Sequence, residues 1–148
     1  MADATVQSIE IMAPAKAVFA VAADLDHYTE WASAVKSVKV LEKDRNGRAK
    51  RAAFVVDGMV KEISYTLSYV YDEPTSIAWT AEPGPDIRSM EGSYSFNTLD
   101  DGGTEVVYAL KADPAFIIPG FLRRQVEKQI VSTALRGLRK RVEQVSSG

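Results

Sequence analysis

The strongest constraint on this chain is the alternation of apolar and polar residues that recurs between residues 35 and 112. It is clearest in residues 62–71, where apolar side chains recur at every second position. Because successive side chains of a β-strand point to opposite faces of a sheet, this spacing predicts strands with one buried and one hydrated face. Turn signals such as Asn46-Gly47 and Asp57-Gly58 separate the alternating runs at hairpin spacing. The predicted meander has six strands, over residues 35–43, 48–56, 60–71, 76–82, 87–98 and 104–112.

The segments on either side of this meander show other patterns. Residues 4–11 have the mixed pattern of a seventh strand, which the Ala13-Pro14 step ends. Apolar residues at helical spacing then predict a short helix over residues 14–23 and a second helical turn over residues 26–31. After Pro119, apolar residues recur at every fourth position, which predicts a helix of about 25 residues and roughly 37 Å. Its apolar stripe comprises Leu122, Val126, Ile130, Ala134, Leu138 and Val142.

This order of elements predicts one α+β domain over residues 1–148, because no repeat, linker or low-complexity segment divides the chain. The last helix is long enough to cross the sheet, and its apolar stripe needs a partner surface of comparable area. We therefore expect the seven strands to form a curved antiparallel sheet that closes on the last helix.

Composition narrows the possible chemistry. The chain has 148 residues, a net charge of −2, no cysteine and one histidine, His27. The lack of cysteine excludes disulfide scaffolds, thiolate zinc sites and cysteine nucleophiles, and a single histidine has no partner for a histidine-based metal site. There is no glycine-rich phosphate loop, so we expect neither a metal nor a cofactor. The absence of cysteine, of a signal peptide and of a long apolar run favours a cytoplasmic location.

Three motifs carry a resemblance to a known family. They read Ile11-x-Ala13-Pro14-x3-Val18-Phe19-x-Val21-x2-Asp24-x3-Tyr28-x2-Trp31, Gly92-Ser93-Tyr94-Ser95-Phe96 and Gly103-Thr104-x-Val106-x-Tyr108. Together they resemble the polyketide cyclase/dehydrase and lipid-transport group of the START/Bet v 1-like (SRPBCC) superfamily, in which many members have Trp at the position of Tyr94. The resemblance covers nearly the whole chain and implies a helix-grip fold with a hydrophobic cavity between sheet and helix. Relatives include aromatase/cyclases, ubiquinone-binding proteins, lipid carriers and ribosome-associated toxins, so the fold does not decide the function.

The alternation also identifies candidate cavity residues. Several are tyrosines, whose buried hydroxyls need partners, and such a lining suits a large apolar ligand with a few polar atoms. Core packing alone would also direct these aromatic residues inward. Gly92, inside a continuous strand, marks a bend or a close approach. The expected cavity lining is Phe54, Tyr65, Leu67, Tyr69, Trp79, Met90, Tyr94, Phe96, Tyr108, Val126 and Ile130.

Charged residues offer few catalytic candidates. Lys61 and Arg88 lie near strand ends, on the same alternating faces as Tyr65 and Tyr94. We expect both to be hydrated rim residues; a side chain that reached inward would hold a ligand carboxylate or polarise a carbonyl. His27 lies in an acidic segment, where a neighbouring carboxylate raises a histidine pKa, and it is expected on the surface. No catalytic residue is therefore assigned.

The apolar segment 114–122 allows two interpretations. It either leads the core into the last helix, or it acts as a gate to the cavity or as an insertion loop at a membrane surface. In the second interpretation the gate residues are Phe116, Ile117 and Phe121, and the neighbouring arginines meet lipid headgroups.

Basic residues are concentrated in residues 115–148, which contain seven Lys or Arg against two Glu. They form either a hydrated helix face or a strip that contacts anionic lipid or RNA phosphates. No aromatic residue follows Phe121 in the helix, so sequence-specific nucleic-acid binding is not expected. The basic residues are Arg123, Arg124, Lys128, Arg136, Arg139, Lys140 and Arg141.

These observations favour the binding or transport of a hydrophobic small molecule, such as a lipid, a quinone or a polyketide-like compound, between the sheet and the last helix. One alternative is an aromatase/cyclase-like enzyme in which a tyrosine or Arg88 assists proton transfer. Another is a ribosome- or partner-binding protein of the toxin type that acts through the basic helix. The sequence leaves the ligand, the oligomeric state and the physiological partner open.

Overall fold

The computed structural model describes residues 4–58 and 61–147, which form one sheet, two α-helices and one short 3₁₀ helix. The strands are β1 (Thr5–Ile11), β2 (Val35–Lys43), β3 (Ala49–Asp57), β4 (Glu62–Asp72), β5 (Ser76–Ala81), β6 (Ile87–Thr98) and β7 (Thr104–Pro114). The helices are α1 (Ala15–Ala23), the 3₁₀ helix (Leu25–Glu30) and α2 (Gly120–Ser147).

All strand pairs are antiparallel, and the sheet has the order β1-β7-β6-β5-β4-β3-β2. The six strands from β2 to β7 form the predicted meander, and β1 pairs with β7 at one edge of the sheet. The expectation of a seven-stranded antiparallel sheet with a long C-terminal helix, the helix-grip arrangement, is confirmed. β7 extends two residues beyond the predicted 104–112, and the predicted β4 residue Val60 lies outside the described residues.

Local sequence explains where the elements begin and end. Gly47 and Gly102 adopt φ values of 80° and 87° in the turns before β3 and β7, a conformation that residues with a Cβ rarely adopt. The carbonyl of Pro14 accepts backbone hydrogen bonds from Ala17 and Val18 at 2.9 and 3.2 Å, which starts α1. A proline suits this position because its φ is already fixed near the helical value.

Bulges bend the sheet. The β2–β3 pairing shifts register between Val35 and Ser37 and again near Glu42. The β6–β7 pairing shifts once, between Ile87 and Ser89. Because a bulge inserts an unpaired residue and increases the local twist, these shifts curve both ends of the meander. The β6 bulge has a second effect, since it places Ile87 rather than Arg88 on the inner face, where Ile87 is buried.

The core fills one end of the curved sheet. Three side chains in the second half of α2, Leu135, Leu138 and Val142, are at most 2% exposed, as is Val131 just before the midpoint. The helix contacts β1, α1 and β7. Phe19 of α1 completes this core and is fully buried. The second half of α2 therefore fixes the position of the whole helix over the sheet.

None of the helices in the described part of the chain has both the length and the apolar character needed to cross a bilayer.

The unequal packing of α2 gives a first prediction. Leu138→Ala should lower the free energy of unfolding by about 2–5 kcal/mol, because it leaves a cavity in the packed core. Leu122→Ala, the same change at a position that is 37% exposed, should cost less than about 1 kcal/mol. Urea titrations followed by circular dichroism measure both values. Equal losses in the two variants would contradict the described packing of α2.

Candidate ligand-binding cavity

A cavity of about 410 Å³ lies between the inner face of the sheet and the first half of α2. Its wall is mostly apolar, with side chains from β3 to β7, from α2 and from the loop between the 3₁₀ helix and β2. Ten of the predicted lining residues contribute to this wall. They are Phe54, Tyr65, Leu67, Tyr69, Trp79, Met90, Tyr94, Tyr108, Val126 and Ile130.

The two halves of α2 explain why space remains here. In the second half, Leu135 and Leu138 are almost completely buried against other elements. From the first half to the midpoint, Val126, Ile130 and Ala134 are only partly buried and line the cavity, whereas Val131 is fully buried and does not line it. These three side chains are of modest size and leave space between the helix and the curved sheet, whereas a packed interior would leave few voids.

Four tyrosine hydroxyls face this space without a partner. Among the described residues, none accepts or donates a hydrogen bond to the hydroxyls of Tyr65, Tyr69, Tyr94 or Tyr108. Among the described residues, each side-chain N or O atom that solvent cannot reach has a hydrogen-bond partner. These four hydroxyls have no partner, so they are not sealed off, and they are open to the cavity that their residues line. By contrast, the Tyr71 hydroxyl donates to the Ala49 carbonyl at 2.6 Å.

Burial keeps these hydroxyls protonated. Loss of hydration raises the pKa of all four cavity tyrosines above the ordinary phenol value. At neutral pH each of them is therefore a neutral hydrogen-bond donor and not a base. The cavity can consequently donate to carbonyl, ether or hydroxyl oxygens of a bound molecule.

Trp79 lies at the centre of the aromatic wall. Its ring centroid is 5.2 Å from that of Tyr94, 5.6 Å from Tyr108 and 6.0 Å from Tyr69. Trp79 pairs directly with Gly92 on the neighbouring strand, and a Cβ at Gly92 would lie 2.5 Å from three atoms of the indole. Of the two expectations for Gly92, the structure therefore shows the close approach. The glycine lets the indole lie flat on the strand instead of projecting into the cavity.

The mouth of the cavity is marked by the exposed lining residues Ser33, Asp57 and Gln129. Two charged residues of α2 also contribute to the wall and are only partly buried. The Arg123 guanidinium donates to the Ala112 carbonyl at 2.8 Å, and Glu127 accepts from the Thr5 hydroxyl at 3.4 Å. The charged groups of the wall thus lie at its edge, whereas Tyr69, Tyr94 and Tyr108 lie buried deeper in it.

One predicted lining residue lies elsewhere than expected. Phe96 is buried but does not line the cavity, because it extends past Tyr94 and packs against Phe19 of α1 at a centroid distance of 5.8 Å. Arg88, which was expected to be a hydrated rim residue, is exposed and absent from the wall, and the β6 bulge interrupts the alternation that assigned it to the face of Tyr94. Simple counting by two fails beyond such a bulge.

Lys61 and the predicted gate residues occupy the surface near the mouth. The Lys61 ammonium lies 3.1 Å from Asp86 Oδ1 and 5.2 Å from the centre of the Phe116 ring. Phe116 lines the cavity, whereas Ile117 and Phe121 point to solvent and are 96% and 76% exposed. The segment therefore has one side chain in the wall and two outside it.

Sequence reasoning missed part of the wall. Tyr28 and Trp31 line the cavity from the 3₁₀ helix and its end, and Ile87 lines it from the bulge. The spacing Tyr28-x2-Trp31 was visible in the sequence, but a helical spacing does not show which strand the helix will face. Thr133 of α2 also lines the wall, between apolar neighbours that were predicted.

The remaining titratable candidates lie outside the cavity. His27 is exposed, and the hydrogen bond that its Nδ1 donates to the Asp24 carboxylate at 2.7 Å raises the pKa of its imidazole. Within residues 4–58 and 61–147, no three metal-binding side chains come together. Three residues of the basic set already have partners: Arg123 with Asp113, Arg136 with Ser132 and Arg141 with Glu30.

Comparisons with known proteins agree with this geometry. The family described as polyketide cyclase / dehydrase and lipid transport matches residues 2–143. No curated protein matches the chain in sequence. A START superfamily protein from Mycobacterium smegmatis has a similar structure, with a TM-score of 0.88 at 19% identity over 97% of this chain and 99% of that chain.

Two further structures are similar. A Thermus thermophilus protein aligns with a TM-score of 0.83 at 24% identity, over 97% of this chain and 99% of its own. The Zhui aromatase/cyclase from Streptomyces sp. R1128 aligns with a TM-score of 0.82 at 19% identity, over 95% of this chain and 93% of its own. At such low identity these likenesses establish the fold alone.

The contact between Gly92 and Trp79 gives a second prediction. Gly92→Ala should displace the indole and lower the free energy of unfolding by about 1–3 kcal/mol, because the added methyl overlaps the ring. Gly84→Ala is the control, since its nearest neighbouring atom is 4.0 Å away and its stability should change little. Chemical denaturation measures stability, and tryptophan fluorescence reports the movement of Trp79. An unchanged spectrum and stability in Gly92→Ala would contradict the contact.

Proposed function

The chain belongs to the polyketide cyclase/dehydrase and lipid transport family, and from this premise we propose that it binds and carries a hydrophobic small molecule in the cavity under α2. The single observation that supports this most is the apolar cavity of about 410 Å³ into which four unpartnered tyrosine hydroxyls point. The volume is within the range of small-molecule sites, roughly 300–1,000 Å³.

Binding would be driven by removing apolar ligand surface from water. Each 100 Å² of such surface contributes about 2.5 kcal/mol, at about 25 cal/mol per Å². Part of this gain is offset by the lost freedom of the ligand. The flat indole of Trp79 and the rings of Tyr94 and Tyr108 offer a wall that suits planar or branched apolar groups.

The tyrosine hydroxyls define the polar part of the ligand. Since they are protonated donors, they favour a molecule with acceptor oxygens. A carboxylate would need a cation in the interior, but Arg123 lies at the edge and is already held by the Ala112 carbonyl and by Asp113 at 3.6 Å. We therefore propose a neutral, oxygen-containing ligand such as a quinone, a neutral lipid or a polyketide-like compound.

A second candidate is a cyclase-like enzyme, which the same four hydroxyls support. A phenol that donates to a substrate carbonyl stabilises the negative charge that develops on the oxygen when an enolate forms. Arg88 has no place in this scheme because it is exposed outside the wall. Carriage is preferred because the tyrosines are protonated donors at neutral pH, and the two carboxylates of the lining, Asp57 and Glu127, lie at the mouth and the edge of the cavity. If the wild type converts an added polyketone and Tyr94→Phe does not, the enzyme function would take the place of carriage as the conclusion.

Filling the cavity tests the proposed function. Ala134→Trp should lower the affinity for a neutral apolar dye, such as N-phenyl-1-naphthylamine, by at least about tenfold, because the indole occupies the ligand space. Ala78→Trp is the matched control, since Ala78 lies exposed on the outer side of β5 and its change should leave dye binding intact. Fluorescence titration measures affinity, and thermal denaturation shows that both variants fold. A wild type that binds no dye, or an Ala134→Trp variant that binds as tightly as wild type, would contradict the proposal.

Native mass spectrometry of the protein purified from its host would identify the natural occupant.

The role of the hydroxyls gives a separate prediction. Tyr94→Phe/Tyr108→Phe should lower the affinity for menadione by about two- to tenfold for each hydrogen bond lost. The affinity for 2-methylnaphthalene, which has no carbonyl, should stay the same. Tyr71→Phe, the control, removes a hydroxyl that bonds to Ala49 and should reduce stability by about 1 kcal/mol without changing either affinity. Equal losses for both compounds would show that the hydroxyls do not select acceptor oxygens.

A further inference from the structure

One end of the molecule presents apolar side chains to solvent. Ile117, Phe121 and Leu122 are 96%, 76% and 37% exposed. We call these three residues the apolar tip; they lie within six consecutive residues, between the end of β7 and the first turn of α2. Other exposed large apolar residues, such as Val6 and Val70, lie on separate strands. Exposed apolar groups concentrated in this way are typical of a contact surface.

Two positive charges beside the apolar tip are unpaired. Arg124 and Lys128 follow Phe121 by three and seven residues, so they share its exposed face of α2. Neither forms an ion pair or hydrogen bond through its side chain within the described residues. The nearest acidic side chains are occupied, because Asp113 pairs with Arg123 and Glu127 accepts from Thr5. The sequence has no acidic residue between positions 114 and 126.

We propose that the apolar tip docks on an anionic phospholipid surface, with Ile117 and Phe121 in the boundary between headgroups and acyl chains and with Arg124 and Lys128 on the phosphates. Apolar and aromatic side chains next to basic residues at the start of a helix have the chemistry that interfacial anchors use. Each basic side chain near an anionic bilayer strengthens binding by about fivefold. The contact is reversible, because only a few side chains enter the membrane.

Docking would also bring part of the cavity wall to the bilayer, a consequence that rests on the proposed function. Phe116 and Ile118 line the cavity on either side of Ile117 in the chain. The side chain that enters the membrane is therefore next to two side chains of the cavity wall. An apolar ligand could pass between bilayer and cavity with little exposure to water, which is the costly part of its transfer.

Vesicle flotation tests the docking. The wild-type protein should float with vesicles of phosphatidylcholine and phosphatidylglycerol in equal parts, and much less with phosphatidylcholine alone. Ile117→Ser/Phe121→Ser should reduce binding to the anionic vesicles at least about tenfold. Arg124→Gln/Lys128→Gln should reduce it on the order of 25-fold and remove the preference for anionic lipid.

Matched controls separate docking from general stickiness and general charge. Val6→Ser/Val70→Ser removes two exposed apolar side chains on β1 and β4. Arg139→Gln/Lys140→Gln removes two exposed charges from the far half of α2. Each control should weaken binding less than twofold, because these residues lie away from the apolar tip. A control that reduces binding as much as its matched tip variant would overturn the assignment of the surface.

The two proposals can fail independently. If the wild type binds the naphthylamine dye but floats with neither kind of vesicle, only the docking is overturned, and a protein becomes the partner to seek for the apolar tip. If the wild type floats and the tip variants lose binding as expected, but no dye binds, the docking is supported and the proposed cavity function is overturned.

Discussion

The anchoring of α2 by its second half is the constraint on which the rest of the structure depends. Leu135, Leu138 and Val142 are buried against neighbouring elements, and together they hold a helix of 28 residues at a fixed height over the sheet. The first half then faces the inner surface of the sheet without side chains long enough to fill the gap. Had both halves packed equally well, the same fold would contain only a core. The packing of the second half of α2 thus maintains the cavity under the first half, because a helix cannot bend into the gap without losing backbone hydrogen bonds.

The sequence predicted the fold well because two periods dominate it. The period of two, interrupted by turn residues, predicted the meander, and the change to a helical period after Pro119 predicted α2. The pattern was less informative at the site, for local reasons. Alternation counted across a bulge assigned Arg88 to the face of Tyr94, which it does not share, and Phe96 was expected in the cavity although α1 covers its end of the strand. The contribution of Tyr28 could not be predicted either, since it depends on how a 3₁₀ helix packs over strands that are distant in sequence.

The polar groups of the cavity explain why an apolar site can still be selective. A phenol that loses its water on folding and gains no protein partner has a free-energy cost, and that cost is recovered when a ligand oxygen accepts its hydrogen bond. The effect discriminates most strongly against hydrocarbons, which leave the hydroxyls unpaired. The chain belongs to a family described as polyketide cyclase / dehydrase and lipid transport. Under the proposed function, the particular pattern of Tyr65, Tyr69, Tyr94 and Tyr108 would distinguish its ligands.

The irregular pairing of β2 has a consequence for the behaviour of the protein in a crowded solution. β2 is the last strand of the sheet, so one side of it has backbone groups that no further strand satisfies. A straight strand in this position would be a template for strands of other molecules, which is how many β-proteins begin to aggregate. The repeated register shifts twist the β2 edge, and three lysines lie along it: Lys36 pairs with Glu62 and Lys43 with Asp26, while Lys39 adds positive charge. The same distortions that help to curve the sheet around its cavity therefore also protect the molecule from self-association through its edge.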